Sequence, residues 1–340
     1  MTFNAISVTR NKYKMQKASF FPYNWHIDES QEEFTSIRVY GLNKKNENVC
    51  VRVDDFTPYV YIELPTSRVR WTATKAQILG DKLDSLMGRQ KPVKKALTWK
   101  KKLYGAHINP DTGERKLYPY LFCSFYNIKD LTVLGYRLKG SVHVVGLGSL
   151  KLKIHESDAN PILQMTCCRK LPTAGWVKFQ GRKIREDEMD TLCDHEYQVK
   201  YKHLAPLDCN IVPRPKIMGF DIEVNSWNPS AMPVATDSRN KVFQISCVMA
   251  REGDGPDDYD KYILSLGDPD EKIVGYDVIV YTYPTEAELL TGFTELVREE
   301  NPNIITGYNI LGFDIPYMIA RAKNTFCLTD FSKQGFHKYA

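Results

Sequence analysis

The sequence predicts an α+β domain followed by an α/β domain built on a mixed sheet flanked by helices. Three observations carry this reading. Strand-length runs, alternating or wholly apolar, recur along the chain; single amphipathic helices separate them; and the proline pair in Val212-Pro213-Arg214-Pro215 falls where the pattern changes character. At 340 residues the chain exceeds what one hydrophobic core usually supports. The boundary is therefore set at that proline pair, with residues 1–213 in the first domain and 214–340 in the second.

In the first domain Ser36 to Tyr40, Val49 to Val53 and Tyr59 to Leu64 read as strands of one antiparallel sheet, separated by polar turns. Trp71 to Met87 has the period of an amphipathic helix, Tyr118 to Tyr126 is an aromatic strand, and Ile128 to Leu138 is a second helix. Trp176 to Phe179 and Tyr197 to Tyr201 add strands. In the second domain Ile217 to Val224 is a nearly continuous apolar strand broken by two acids, and Val242 to Met249, Tyr262 to Leu266 and Val278 to Tyr283 extend the sheet. Thr285-Glu-Ala-Glu288 is a capping box opening a helix with Leu289, Leu290, Phe293, Leu296 and Val297 on one face, closed by Asn301-Pro302. Ile304 to Thr306 gives one more strand, and Pro316 suits the first turn of a last helix.

Composition narrows the function classes. Hydrophobic residues make up 43% and charged residues 26%, with 20 Tyr and 15 Phe, which excludes a disordered chain. No apolar run approaches the roughly 20 residues of a membrane span, and the opening residues lack the apolar core of a signal peptide. The expectation is an intracellular protein, not secreted and without a membrane partner. Eight cysteines without a C-x-x-C pair read as buried thiols of a reducing compartment; Cys193, Asp194 and His195 lack a second ligand group at zinc spacing. A formal charge of +5 permits a nucleic-acid partner without requiring one.

Two motifs carry chemistry. In Phe220-Asp221-Ile222-Glu223-Val224 the acids are two apart, so on a strand their carboxylates share one face at roughly 6–7 Å along the chain. Such a pair is either a solvated strand face or a site for a hard divalent cation. Asp314 in Asn309-Ile-Leu-Gly-Phe-Asp314, two residues before Pro316, is by itself a helix cap or first-turn acid. A third feature lies in the first domain: between Ser85 and Pro110, Lys100, Lys101 and Lys102 stand among other basic residues with Trp99 and Tyr104 interleaved. It is either a solvated basic loop with Trp99 tucked into the core, or a nucleic-acid contact in which the lysines meet phosphates and Trp99 stacks on a base.

The segment Asn301-Pro-Asn-Ile-Ile-Thr-Gly-Tyr-Asn-Ile-Leu-Gly-Phe-Asp-Ile-Pro-Tyr317 resembles the second exonuclease motif of family B DNA polymerases, and the D-I-E of residues 221–223 lies where that family has its first. With Val242-Phe-Gln-Ile-Ser246 and the TEAELL helix between them, the resemblance runs over about 100 residues, and it extends more loosely to Asp54–Pro65, Ile154–Pro161 and Gly175-Trp-Val177. Within the family it resembles the delta-type enzymes, particularly those of large DNA viruses. The resemblance implies an RNase H-like fold for the second domain, and DNA as substrate and partner, offered as a single strand at a primer 3′ end. It implies 3′-to-5′ proofreading by two-metal hydrolysis with Mg²⁺ or Mn²⁺. Asp221 would bridge both ions, Glu223 would hold one and orient the attacking water, and Asp314 would complete coordination; Asn309 and Phe313 would lie near the frayed 3′ end. Phe313 remains open between stacking on a base and packing in the core.

The family also has a third exonuclease motif, a tyrosine four residues ahead of an aspartate. The 26 residues after Asp314 contain Asp330 and Tyr339 but not that spacing, and no polymerase motif follows. The expectation is thus a domain truncated at its C-terminus within a parent enzyme that both polymerises and trims, while this piece alone is expected to show little or no exonuclease activity; the alternative is a non-catalytic DNA-binding or scaffolding fragment. The resemblance further implies replication in the nucleus or at a cytoplasmic viral site, and a sliding clamp reached through the rest of the parent chain.

Overall fold

The computed structural model describes residues 15–67, 69–102, 107–108, 111–228, 230–270, 275 and 277–338, so Tyr104 and Tyr339 lie outside the described residues. The chain packs as two compact units. The first takes in the residues up to Tyr40, Val51–Lys183 and Tyr197–Asp208; the second takes in Gly41–Cys50, Ile184–Glu196 and the residues from Cys209 onward.

The first unit holds a six-stranded sheet, a four-stranded sheet and a two-stranded hairpin where the strand patterns suggested one sheet. Strands β1 (Met15–Asp28), β2 (Ser36–Leu42) and β3 (Asn48–Val53) belong to a six-stranded sheet. Strand β4 (Tyr59–Glu63) begins another. After it come α1 (Ala73–Met87), β5 (Lys94–Lys101), β6 (Leu117–Ser124), α2 (Ile128–Arg137), a hairpin of β7 (Ser141–Val144) and β8 (Gly148–Lys151), and β9 (Lys153–His155). Strands β5, β6, β4 and β9 hydrogen-bond in that order, all antiparallel. Val60, Ile62, Leu121 and Cys123 point from this sheet into a core shared with Leu79 and Leu83 of α1 and Leu131 and Leu134 of α2. Side-chain caps start both helices: Thr72 accepts the Lys75 N–H and Asn127 the Lys129 N–H. Helix α3 (Pro161–Arg169) leads to β10 (Val177–Lys183), which pairs antiparallel with β1, β11 (His195–Val199) and β12 (Ala205–Pro206).

In the second unit β13 (Lys216–Val224) lies between antiparallel β14 (Val242–Arg251) and parallel β17 (Ile304–Thr306). Strands β15 (Asp260–Leu266) and β16 (Val278–Tyr283) complete a five-stranded mixed sheet in the order β16-β15-β14-β13-β17. Helices α4 (Glu286–Glu300), α5 (Asp314–Asn324) and α6 (Leu328–Phe331) share one core with Met218, Phe220 and Ile222. They thus meet the face of β13 opposite Asp221 and Glu223, which stay exposed. Thr285 caps α4 and accepts the Glu288 N–H, as the capping box predicted.

One buried polar network crosses this core. Arg321 of α5 and Glu286 of α4, 2% and 4% exposed, form a bidentate pair at 2.8 and 2.6 Å. Arg321 Nη1 also donates to the carbonyls of Ala235 and Asp237, and Glu286 accepts the Val242 N–H. Removing one partner leaves an unpaired buried charge. Arg321→Met is expected to cost about 3–5 kcal/mol in urea unfolding, and adding Glu286→Gln to that variant to restore part of the loss. A double variant no more stable than the single one would contradict this account.

Candidate active site

Local backbone chemistry explains how the acids of β13 meet the acid of α5. Strand β17 pairs with β13 only over Ile217–Gly219, so beyond that point this edge of β13 has no strand neighbour there. The turn after β17 takes over. Gly307 crosses so close to β13 that a Cβ would collide with the Phe220 carbonyl oxygen and with Ile310, so the position requires glycine. Asn309 adopts the left-handed conformation at φ 54°, and its carbonyl accepts the N–H groups of Gly312 and Phe313 at 2.9 and 3.0 Å. Gly312 leaves room for the Asn309 side chain, which any Cβ would strike. Ile310 is buried and its carbonyl accepts the Ile315 N–H at 2.9 Å, joining the turn to α5.

This turn delivers Asp314 into the interior, 2% exposed, in the first turn of α5. There Asp314 Oδ1 accepts the Ile222 N–H at 3.3 Å, taking up a donor on the stretch of β13 past the end of β17. Asp221 lies beside it. Burial pushes the Asp314 carboxyl above its ordinary range, backbone N–H groups oppose that shift, and the neighbouring Asp221 adds to it. A buried carboxylate next to a second one is a site with unmet demand for positive charge, and two hard oxygen donors suit a divalent cation of the magnesium class. The donor set therefore fits the expected metal.

The other predicted residues divide. Glu223 follows Asp221 on the same exposed face of β13, but among the described residues no group of three or more His, Cys, Asp or Glu is gathered closely enough to hold a metal ion. Asn309 is exposed. Phe313 is half-buried, packs against the core, and lies tilted against Tyr317 with ring centroids 5.4 Å apart. Trp99, Lys100 and Lys101 belong to the first unit, where the basic stretch is mostly strand β5 instead of a loop; Lys102 follows its end. Sequence reasoning passed over Tyr308 and Leu311, which flank Asn309 at 94% and 80% exposed. Large apolar side chains inside a glycine-punctuated turn were the available signal.

Comparison with known proteins matches residues 152–338 to the DNA polymerase family B exonuclease domain, more than half of the chain. The chain belongs to this family. It is 40% identical over 335 residues to DNA polymerase 120R of Invertebrate iridescent virus 3 and 35% identical over 353 residues to DNA polymerase 037L of Invertebrate iridescent virus 6. Each match takes in 94% of this chain but only 29% and 27% of the relative, so the chain spans under a third of the length of these relatives. The fold is similar to that of the family B DNA polymerase of Pyrobaculum calidifontis, with a TM-score of 0.64 at 19% identity, covering 93% of this chain and 34% of that one.

The raised Asp314 pKa has a stability consequence in metal-free protein. Because the folded-state value lies above the ordinary 3.8, its favourable contribution is complete below that pH and is lost as pH rises through the folded value. Asn at 314 keeps an acceptor for Ile222 without the charge. Asp314→Asn should thus melt at a higher temperature than the parent at neutral pH in EDTA, with the gap closing below about pH 4. A variant less stable than the parent at neutral pH would contradict the assigned cause.

Proposed function

We propose that the second unit is the 3′-to-5′ proofreading exonuclease of a DNA polymerase, with an RNase H-like fold and DNA as its substrate. The observation that carries the reading is the meeting of Asp221 and Asp314, delivered from a strand and a helix start that are 93 residues apart in sequence. Family membership supports the reaction class, and the open face of β13 supports access by a strand end.

In this reading Asp221 and Asp314 would hold the divalent cation, Mg²⁺ or Mn²⁺, and Glu223 would accept a hydrogen bond from the attacking water and so orient it toward the terminal phosphodiester. When bound, such cations activate water and stabilise the departing 3′ oxygen. Asp314 is fixed by the Ile222 N–H and by the turn at 307–313, so its position does not have to be organised during the reaction. Asn309, with the exposed Tyr308 and Leu311 on either side of it, would meet the terminal nucleotide. An intracellular replication role follows from the same reading; among the described residues no helix is long and apolar enough to cross a membrane.

In the full-length polymerase, Asp221→Ala or Asp314→Ala should reduce trimming of a labelled single strand by orders of magnitude while nucleotide addition is retained. Equal loss of both activities would sink the assignment. With the chain itself, Mn²⁺ at about 100 times its dissociation constant should stabilise the fold by about 2.7 kcal/mol. Asp221→Ala should lose this metal-dependent shift; its persistence would remove Asp221 from the ligand set.

A further inference from the structure

The first unit carries a second site that does not depend on the exonuclease reading. Its four-stranded sheet has the chain order β4-α1-β5-β6-α2-β9 with the β7–β8 hairpin inserted, and the spatial order β5-β6-β4-β9. The helices cover one face, because α1 and α2 share a core with Val60, Ile62, Leu121 and Cys123. Register identifies the side chains of the other face. Tyr61 stands opposite Phe122 and His155, Glu63 stands opposite Tyr120 and Lys153, and Lys100 stands opposite Tyr118. This split also separates the basic stretch. Lys95 donates to the Gly80 carbonyl of α1 and Leu97 packs against the helix-side core, so Trp99 follows them in alternation, while Lys100 belongs to the opposite face.

Part of that opposite face is closed. Gln164 of α3 bonds both the N–H and the carbonyl of Tyr59, and Cys168 meets the Tyr59 hydroxyl. The rest opens into a cleft of ≈ 500 Å³ over Tyr61 and Glu63, in the range of small-ligand sites. Its electrostatics favour an anion. Lys100, Lys101, Lys102 and Lys153 line it against two carboxylates, Glu63 and Glu156. Glu63 is already engaged, with Lys102 and, at 2.9 Å, with His155 Nε2. These partners hold the Glu63 carboxyl below its ordinary range against the opposing effect of burial. Lys100 rests 4.1 Å above the centre of the Tyr61 ring. That exposed cation–π contact is weaker than the stack of a nucleobase on the same ring, so a base can displace the lysine toward a phosphate.

We propose that this open sheet face binds single-stranded nucleic acid, with Tyr61 and His155 stacking on bases and Lys100 and Lys153 meeting the flanking phosphates. A sheet of this topology with aromatic side chains on its two central strands is a recurrent platform for splayed, unpaired bases. Duplex would not serve, because its bases are already stacked and its faces are hidden. RNA and DNA single strands share the required chemistry, and the ribose 2′-hydroxyl is what can tell them apart.

The test uses short circular single strands of RNA and of DNA, which offer no 3′ end to an exonuclease site, with binding followed by fluorescence anisotropy in EDTA. Tighter binding of one circle names the natural source. For that circle, the double variant Lys100→Glu, Lys153→Glu should weaken binding at least tenfold and flatten the plot of log affinity against log salt by about 1.4, at about 0.7 per phosphate contact on a single strand. Tyr61→Leu should weaken binding about tenfold or more and Tyr61→Phe should leave it near the parent value. Parental affinity and salt slope in the double lysine variant would overturn the proposal, as would failure of the parent to bind either circle. Because the lysines are exposed, their replacement leaves the core intact and the test does not hinge on Tyr61. Loss of trimming in Asp221 variants without any change in circle binding would keep the two sites distinct.

Discussion

The pairing of Arg321 with Glu286 ties α5, α4, residues 235–237 and the start of β14 together in the second unit. Arg321 reaches from α5 to α4 and to the carbonyls of Ala235 and Asp237, while Glu286 also holds the first N–H of β14. Asp314 lies seven residues before Arg321, two turns back along the same helix. The register of α5 is thus set at one end by a bidentate ion pair and at the other by a carboxylate on the Ile222 N–H. A hydrophobic contact at Arg321 would bury surface, but it would not choose among neighbouring rotations of the helix. Directional bonds from α5 to α4, to residues 235–237 and to β13 do choose, and the acid's placement depends on that choice.

The same arrangement explains why Asp314 can be buried at all. The first turn of a helix carries partial positive charge and unbonded N–H groups, which favour a carboxylate there. One backbone donor from β13 adds to that. Against these stand burial itself and the charge of Asp221, and the raised pKa says that the unfavourable effects prevail in the absence of a cation. The fold therefore stores an electrostatic deficit at one point, supported by neighbours that have no such deficit. This is the pattern expected where a site is built for a ligand and not for stability.

Much of this was legible in the sequence, and the misses have physical causes. The apolar run with two acids at 221 and 223 gave β13, and the Thr285 capping box gave the start of α4, because both signals are local. The partnership of Asp221 with Asp314 came from a family resemblance, since no local rule reports a contact across 93 residues. Strand β5 was missed because a run of lysines mimics a solvated loop; its alternation appears only once Lys95 and Leu97 are seen to face α1 and the helix-side core. Strand β4 was assigned to the sheet of β2 and β3, as sequence adjacency suggests, yet β4 pairs with β6 and β9. The Arg321–Glu286 pair had no counterpart in the sequence reading, since burial of an ion pair leaves no mark on either segment alone.

Both units thus present one open sheet face, and the two faces have opposite electrostatic character. On β13 the carboxylates of Asp221 and Glu223 repel a phosphodiester, so a strand can approach there only after a cation has reversed the local sign. On the sheet of β4 the lysines attract phosphate unaided, and Glu63 is held by Lys102 and His155. Under the two proposed readings, affinity on the first face follows the metal, and affinity on the second follows monovalent salt through counterion release. The two proposed sites would then answer to two independent controls, one governing where a strand is held and the other whether its end can be cut.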